Sequence, residues 1–427
     1  MQHILKEEKL LRDPNRWAFV EGQYVRRVGG GSPAVMMAPQ PGIGAAGRPQ
    51  PQTTNAAAGS GPFLRYARAA SRPGYNVSGT AFGGQITQAL AAAPGYLRWL
   101  DITIVSSGGT SAAAVASSDS TASGVANALQ LIQFKDPWGT PLLTGDGFSL
   151  CYLLNKYAGQ GFSSLYPANT ATQLPNYSAI AVTGNFTTHL MLPVEGTKGY
   201  GVVSIGNSSV LPSLLLSYGA VTASPFGIFS TAPTATVPTL QTIVDEFYYD
   251  VDPSNPVEPP GNGSTFQTAV VQGNQTIGSA ASTRVQLPRT GGYLTSLILV
   301  LRDSASLRTA DTAGVGWNST TGRIRIYVDG VPRFDETFIQ ATDRMYAQTN
   351  GTPRDTGVMA YGFKNSLSQL NLGYLDTLEQ ALQTNPGTLI EVEMTPWGTI
   401  ASSPGTLYAI ITQLVPSGPI SQGLPEV

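Results

Sequence analysis

The chain has 427 residues, 41% of them hydrophobic and only 12% charged, with 24 basic against 26 acidic residues for a formal charge of −2. That balance supplies no basic stripe to neutralise phosphates, which argues against a nucleic-acid groove, and it gives an anionic membrane surface nothing to attract. The single cysteine, Cys151, excludes an intrachain disulfide, and no run of about 18 apolar residues offers a transmembrane helix.

The low charge leaves Ser, Thr, Asn, Gln and backbone to cover the surface. The 48 glycines and 31 prolines favour turns and short strands over long helices. A chain of this length suggests roughly two or three domains.

Residues 2–12 predict a short amphipathic helix. Ile4, Leu5 and Leu11 share one face, and Pro14 limits its extent. The opening "MQHILKEEKLLRDPNRW" is charged throughout and lacks the apolar core of a secretory signal, so the expectation is use without Sec-type export. "RWAFVEGQYVRRV" follows, with Trp17, Phe19, Tyr24 and Val25 as anchors. The run from Gly29 to about Gly61 is rich in Gly, Pro, Ala and Gln and too poor in apolar side chains to offset its chain entropy. Residues 1–60 are therefore expected to form an extended N-terminal arm.

From residue 61 to 251 short apolar segments alternate with turns. "LQLIQF" (129–134) precedes the turn signal "KDPWG", and "FSLCYLL" (148–154) follows "TGDG". "FTTHLMLPV", "GYGVVSIGN" and "TLQTIVDEFYYDV" complete the series, and all are expected as strands. "DVDPSNPVEPPGNGS" (250–264) holds four prolines and almost nothing apolar, which places a linker at residues 252–263.

Strand signals resume over residues 264–427, which end in a C-terminal tail. "STRVQLP" leads into "GYLTSLILVLRDS". "RIRIYVDG" alternates Ile324, Ile326 and Val328 against Arg323, Arg325 and Tyr327 before an Asp-Gly turn and "VPRFDETFI". "TLIEVEM" sets Ile390, Val392 and Met394 against Leu389, Glu391 and Glu393, and "TLYAIITQLV" closes the series. One helix is expected, at "LDTLEQALQ" (375–383), with Leu375, Leu378 and Leu382 on one face.

The two β regions repeat each other. At an offset of 197 residues, Leu90 aligns with Leu287, Gly95 with Gly292, Tyr96 with Tyr293, Leu97 with Leu294 and Leu100 with Leu297. Ile102 and Ile104 fall on Leu299 and Leu301, so the apolar face keeps its register; a one-residue slip would turn it outward. "LIQFKDPWG" matches "IYVDGVPRF" in order, and "HLMLP" is set against "VEMTP" as a late strand ending at proline. The predicted fold is all-β: two tandem eight-stranded jelly rolls, a double jelly roll, with an extended arm and few short helices.

Candidate chemistry is sparse. The two histidines are His3, in the arm, and His189, in a strand, too few for a histidine-based metal site of the cupin kind. Cys151 reads as a buried structural thiol. Three carboxylate pairs occur, Asp245/Glu246, Asp335/Glu336 and Glu391/Glu393; only the last shares a strand face, which would suit a two-carboxylate glycosidase. Asp250, Asp252, Asn255 and Glu258 form a loose oxygen-rich loop whose spacing matches no standard calcium site. No cofactor, metal or catalytic residue is expected.

The tandem "GYLRWLDITIV"/"GYLTSLILVL" strands, the polar arm, the proline-rich joint and the series "RIRIYVDGVPRFDETF", "LIEVEM", "LYAIITQLV" give residues 61–415 a layout that resembles the double jelly-roll major capsid proteins of tectivirus-like, internal-membrane bacteriophages. The resemblance implies a non-enzymatic virion protein. Three copies would form a pseudo-hexameric homotrimer, and trimers would tile an icosahedral shell over a lipid membrane, beside minor capsid and vertex proteins and without nucleic-acid contact. Assembly would take place in the host cytoplasm. The arm, through Ile4, Leu5, Leu11, Trp17 and Phe19, would touch membrane or neighbouring subunits, and the loop at 106–124 would crown the trimer or pack between chains. A carbohydrate-binding or adhesive β-sandwich is the alternative of another class, and a glycosidase using Glu391 and Glu393 is a third.

Overall fold

A computed structural model of the chain describes residues 18–20, 23–25, 60–110, 128–157, 185–196, 199–221, 236–252, 257–259, 265–277, 283–287, 291–302, 317, 322–348, 354–363, 382–384, 387–394 and 405–415. Strands β1 (Ala18–Val20) and β2 (Gln23–Val25) form an antiparallel hairpin within the unit Met1–Gly59. Everything that follows belongs to a second unit, Ser60–Val427. The expected helix over residues 2–12 lies outside the described residues, as do Ile4, Leu5, Leu11 and Trp17; Phe19 sits in β1.

Helix α1 (Ser60–Tyr66) leads into the first roll. Its strands are β3 (Arg68–Thr80), β4 (Gln85–Ala89), β5 (Gly95–Ser107), β6 (Leu129–Lys135), β7 (Pro141–Gly145), β8 (Phe186–Pro193), the two-residue β9 (Val203–Ser204), β10 (Ser213–Tyr218) and β11 (Thr239–Asp250). The second roll contains β12 (Thr265–Ile277), β13 (Thr283–Gln286), β14 (Gly292–Arg302), β15 (Arg323–Val328), β16 (Val331–Thr337), β17 (Val358–Gly362), the short β18 (Leu382–Thr384), β19 (Ile390–Met394) and β20 (Gly405–Val415).

The strand orders are those of two jelly rolls. Setting β9 and β18 aside, and numbering the other eight strands of each roll from its own start, one sheet runs 1-8-3-6 and the other 2-7-4-5. In the first roll these are β3-β11-β5-β8 and β4-β10-β6-β7; in the second they are β12-β20-β14-β17 and β13-β19-β15-β16. The extra strands correspond too. β9 pairs with β5 at Tyr96 and Leu97, and β18 pairs with β14 from Gly292 to Leu294.

The repeated segments occupy the same place, third in each roll. Leu97, Leu100, Ile102 and Ile104 are fully buried, and so are Leu294, Leu297, Leu299 and Leu301. A bulge recurs as well. Between Trp99 and Leu97 the pairing of β5 with β11 skips Arg98, and between Leu294 and Ser296 the pairing of β14 with β20 skips Thr295. Those residues are again 197 apart. A bulge adds one residue and would flip all later side chains, so both copies need it to keep Leu97 and Leu100 on one face.

Two of the four-stranded sheets are one continuous sheet. β7 and β12 pair in parallel, Thr268 opposite Leu143 and Ala269 opposite Thr144. Register fixes what this does. Leu143 pairs with Phe134 on the interior face of the first roll, whereas Thr268 pairs with Thr412, which pairs with Ser296 on the face of β14 opposite Leu297. The inner face of the first roll thus continues as the outer face of the second. The bodies of the two rolls lie on opposite sides of the shared sheet.

Three expectations change. "FSLCYLL" is not a strand: Phe148–Leu153 winds as a π-helix and continues as α2 (Leu154–Tyr157). An unbroken apolar run carries no period that separates strand from helix. The discriminating signal is Asp146, whose carboxylate accepts from the Ser149 backbone N–H (2.7 Å) and hydroxyl (2.8 Å), capping the first turn. Leu382 and Gln383, expected to end a helix, lie in β18, while residues 375–381 fall outside the described residues. Among the described residues, the second roll has its helix at α3 (Phe338–Gln348), which buries Phe338, Ala341 and Met345. Finally, "HLMLP" is β8, sixth in its roll, and "VEM" ends β19, seventh in its roll; the two are not equivalents.

Candidate assembly surfaces

Inside the chain, the joint between the rolls is built by glycines and one buried acid. Phe266, at the start of β12, lies against Gly196 and Gly201 so closely that a Cβ on either would overlap its ring. Val270 fits over Gly145 in the same way. Small residues on the first roll thus open sockets for apolar side chains of the second.

The acid is Asp355, 3% exposed, in the segment leading into β17. Its Oδ2 accepts from the Tyr157 hydroxyl (2.6 Å) and the Lys156 ammonium (2.8 Å), and its Oδ1 accepts from the Tyr152 hydroxyl (3.1 Å). The Asp355 backbone N–H donates back to the Tyr157 hydroxyl at 2.7 Å. All three partners come from the helix of the first roll. That helix is buried from Phe148 to Asn155 and again at Tyr157.

A second buried acid braces the bulge. Glu195 is 2% exposed; it accepts from Arg98 Nε (2.8 Å), from the Tyr249 hydroxyl (2.9 Å) and from the Gly199 backbone N–H. Arg98 lies between the rings of Trp99 and Tyr249, 4.4 Å and 4.3 Å from their centroids. At the same place in the second roll Thr295 donates to the Thr412 carbonyl at 3.1 Å. The bulge recurs while its chemistry differs.

Burial pushes the hydroxyls of Tyr75, Tyr157, Tyr249 and Tyr361 well above the ordinary tyrosine value of 10.0, with the Asp355 charge adding at Tyr157 and the Glu195 charge at Tyr249. A group that holds its proton longer in the fold than in the unfolded chain makes stability fall as pH climbs above the unfolded value. Stability contributed by these tyrosines is therefore expected to be complete below about pH 9 and lost progressively above about pH 10. In an alkaline titration, tyrosinate absorbance should lag and then rise together with loss of the β circular dichroism signal. Full ionisation near pH 10 with the fold intact would contradict this.

The two rolls differ in what their equivalent outer faces show. On the outer face of β14, Ser296, Ile298, Val300 and Arg302 are all buried, and Ile410, Thr412 and Leu414 of β20 are buried beside them. The same positions on β5 hold Trp99, Asp101, Thr103 and Val105, all half-buried, next to Phe247, Asp245, Ile243 and Gln241 of β11. Trp99 and Phe247 stack with centroids 4.8 Å apart. Asp101 faces Asp245, and burial pushes its carboxyl up, partly countered by His189.

The outer face of β13-β19-β15-β16 carries much of the chain's sparse charge. Arg284 pairs with Glu391, Arg323 and Arg325 with Asp335, and Arg325 with Glu393. The Tyr327 hydroxyl donates to Glu393 at 2.6 Å. The proposed glycosidase pair thus stands in an arginine ladder on a solvated sheet. His189 is exposed on β8, its Nδ1 2.8 Å from the Thr103 hydroxyl. Cys151 is buried in the π-helix, where burial pushes its thiol up. Among the described residues no three His, Cys, Asp or Glu side chains are grouped to hold a metal ion; Asn255 of the oxygen-rich loop lies outside them.

Sequence reasoning did not find Asp355, Glu195, Arg98 or the helices at Ser60–Tyr66, Phe148–Tyr157 and Phe338–Gln348. Only the Asp146–Ser149 cap was readable as a local signal; the rest are long-range partners.

No protein-family model matches the chain, and no curated protein does. Solved structures do match. The STIV MCP superposes with a TM-score of 0.55 at 14% identity, over 84% of this chain and 100% of that one. A chain from the atomic structure of Sulfolobus Turreted Icosahedral Virus gives 0.54 at 13% identity, covering 82% and 91%. PBCV-1 VP54 gives 0.53 at 13% identity, covering 82% and 93%. These are double jelly-roll major capsid proteins, and this chain has the double jelly-roll fold that they share.

Proposed function

We propose that the chain is the structural major capsid protein of an icosahedral virus. Three copies form a pseudo-hexameric homotrimer, and trimers tile a shell over an internal membrane. The observation that carries this reading is the pair of rolls with one topology, fused through a shared sheet. Two like rolls per chain let three chains fill a six-cornered lattice site. The low charge density suits wide subunit contacts, because few ions need to be desolvated when they form.

On this reading residues 1–60 are an arm, 61–251 and 264–427 the two rolls and 252–263 their linker. The arm meets membrane or neighbouring subunits through Ile4, Leu5, Leu11, Trp17 and Phe19. Minor capsid and vertex proteins complete the particle, which assembles in the host cytoplasm. The role is architectural rather than catalytic.

Negative-stain imaging of the purified full chain, combined with solution mass, tests the trimer. Hexagonal particles of three chains are expected. A monomer that binds glycans would favour the carbohydrate-binding alternative.

A further inference from the structure

Two aspartates face each other across a seam of the first roll. Asp101 of β5 stands directly opposite Asp245 of β11, and both are half-buried on the outer face of the sheet. Side chains paired in this way lie about 5 Å apart at Cβ, and like charges there oppose the pairing. Asp101 Oδ1 is buried with no hydrogen-bond partner among the described residues. A carboxylate at that place gives up solvation without gaining a bond in exchange.

The surroundings supply little counter-charge. Along the same face, β5 and β11 place Trp99, Thr103, Phe247 and Ile243. On β3 the residue opposite Asp245 is Pro73. Arg72 and Arg98 of this sheet are committed elsewhere, to Glu246 and Glu195. The helix of the first roll contributes Cys151, whose thiol is pushed up by burial and by the charges of Asp146 and Asp101, while Asp146 itself accepts from Ser149. β8 contributes Met191, opposite Asp101, and the exposed His189, whose Nδ1 lies 2.8 Å from the Thr103 hydroxyl. Of these groups around the pair, His189 is the one with a positive charge to offer.

We infer that Asp101 and Asp245 form a proton-operated latch between β5 and β11, with His189 setting the pH at which it closes. Above that pH two carboxylates repel each other across the seam. Below it one proton taken from solvent lies between them. One carboxyl then donates its O–H to the other's carboxylate, and the buried oxygen gains a partner. The two groups titrate as a unit. Burial pushes the Asp101 carboxyl up, His189 pulls it down and the Asp245 charge adds to the rise. A carboxyl that holds its proton more tightly in the fold than in the unfolded chain contributes stability that is complete below the ordinary aspartate value of 3.8 and is lost as pH rises above it. The seam therefore tightens as pH falls from neutral. This inference rests on strand register and is independent of the assembly reading.

Urea unfolding of the full chain, followed by circular dichroism at one fixed protein concentration, tests the latch. At pH 7.5 Asp101→Asn is expected to raise the midpoint by on the order of 0.3 M, because it removes the repulsion and supplies a donor. That gap between variant and wild type should close as pH falls toward 4. Asp245→Asn should act in the same way from the other strand, and it carries the comparison where Asp101→Asn fails to fold. In a His189→Gln background the gap should close at a higher pH, since the charge that favours the Asp101 carboxylate is gone. A merely structural role for His189 would leave the closing pH where it is. A gap of the same size at every pH would overturn the latch, as would aspartate-to-asparagine variants that are less stable than wild type at pH 7.5.

Discussion

Gly95→Ala is expected to keep the first roll from closing. Gly95 opens the repeated strand with φ at +151°, a region that side-chain-bearing residues rarely adopt, and an added Cβ would overlap the Tyr249 carbonyl of β11. The obstacle is backbone at the end of a twelve-residue pairing that runs from Thr239 opposite Ser107 to Asp250 opposite Gly95, so no rotamer change relieves it. Backbone strain and overpacking together put the loss on the order of 3–5 kcal/mol, a large part of the stability of an ordinary domain. Gly292→Ala at the equivalent site is expected to cost less. Its φ is +138°, and the nearest atom to an added Cβ, the Leu414 carbonyl oxygen, is 2.7 Å away. Soluble yield and the urea midpoint of the two variants, measured side by side, should fall in that order. Wild-type stability in Gly95→Ala would mean that the glycine is not required by this pairing.

Asp355→Ala is expected to cost about 3–5 kcal/mol, as does breaking a buried ion pair from one side. The loss is not the worth of the contacts alone. Removal of the carboxylate leaves the Lys156 ammonium, with 17% of its side chain exposed, and two tyrosine hydroxyls without the acceptor they share. Asp355→Asn keeps an acceptor oxygen and should lose less. The local signature matters as much as the magnitude. Because Asp355 joins the first-roll helix to the head of β17, amide exchange should speed up in β17 and α2 before it does in β5 or β11. A loss below about 1 kcal/mol, the range of solvent-exposed pairs, would show that the cluster contributes no more than a surface contact.

The bulge explains why the repeat was legible. Two segments 197 residues apart keep matching apolar positions only if both insert the extra residue at the same point, Arg98 in one and Thr295 in the other. The pattern of buried leucines is thus a record of pairing, and it gave the fold class. The Asp-Gly turn after β15 was similarly local: Asp329 and Gly330 have φ of +50° and +78°, as a tight hairpin requires. The helix after β7 was missed because the eight successive residues Phe148–Asn155 are apolar or small polar and uniformly buried, which erases the period. Helix α3 was missed because its first two residues, Phe338 and Ile339, end the strand-like "VPRFDETFI", and beyond them only Ala341 and Met345 join Phe338 in the core.

The sequence by itself determined which faces of the strands turn inward, where the rolls begin to repeat, and that the surface would be polar and nearly neutral. These follow from local alternation and composition, because a strand's side chains must point to opposite faces whatever it packs against. Only the tertiary structure decided how the rolls meet: the parallel β7–β12 seam, the glycine sockets for Phe266 and Val270, and the acid at 355 shared by a helix two hundred residues earlier. Contacts between residues so far apart leave no period in the chain, since each depends on two surfaces arriving together and neither surface alone carries the other's shape.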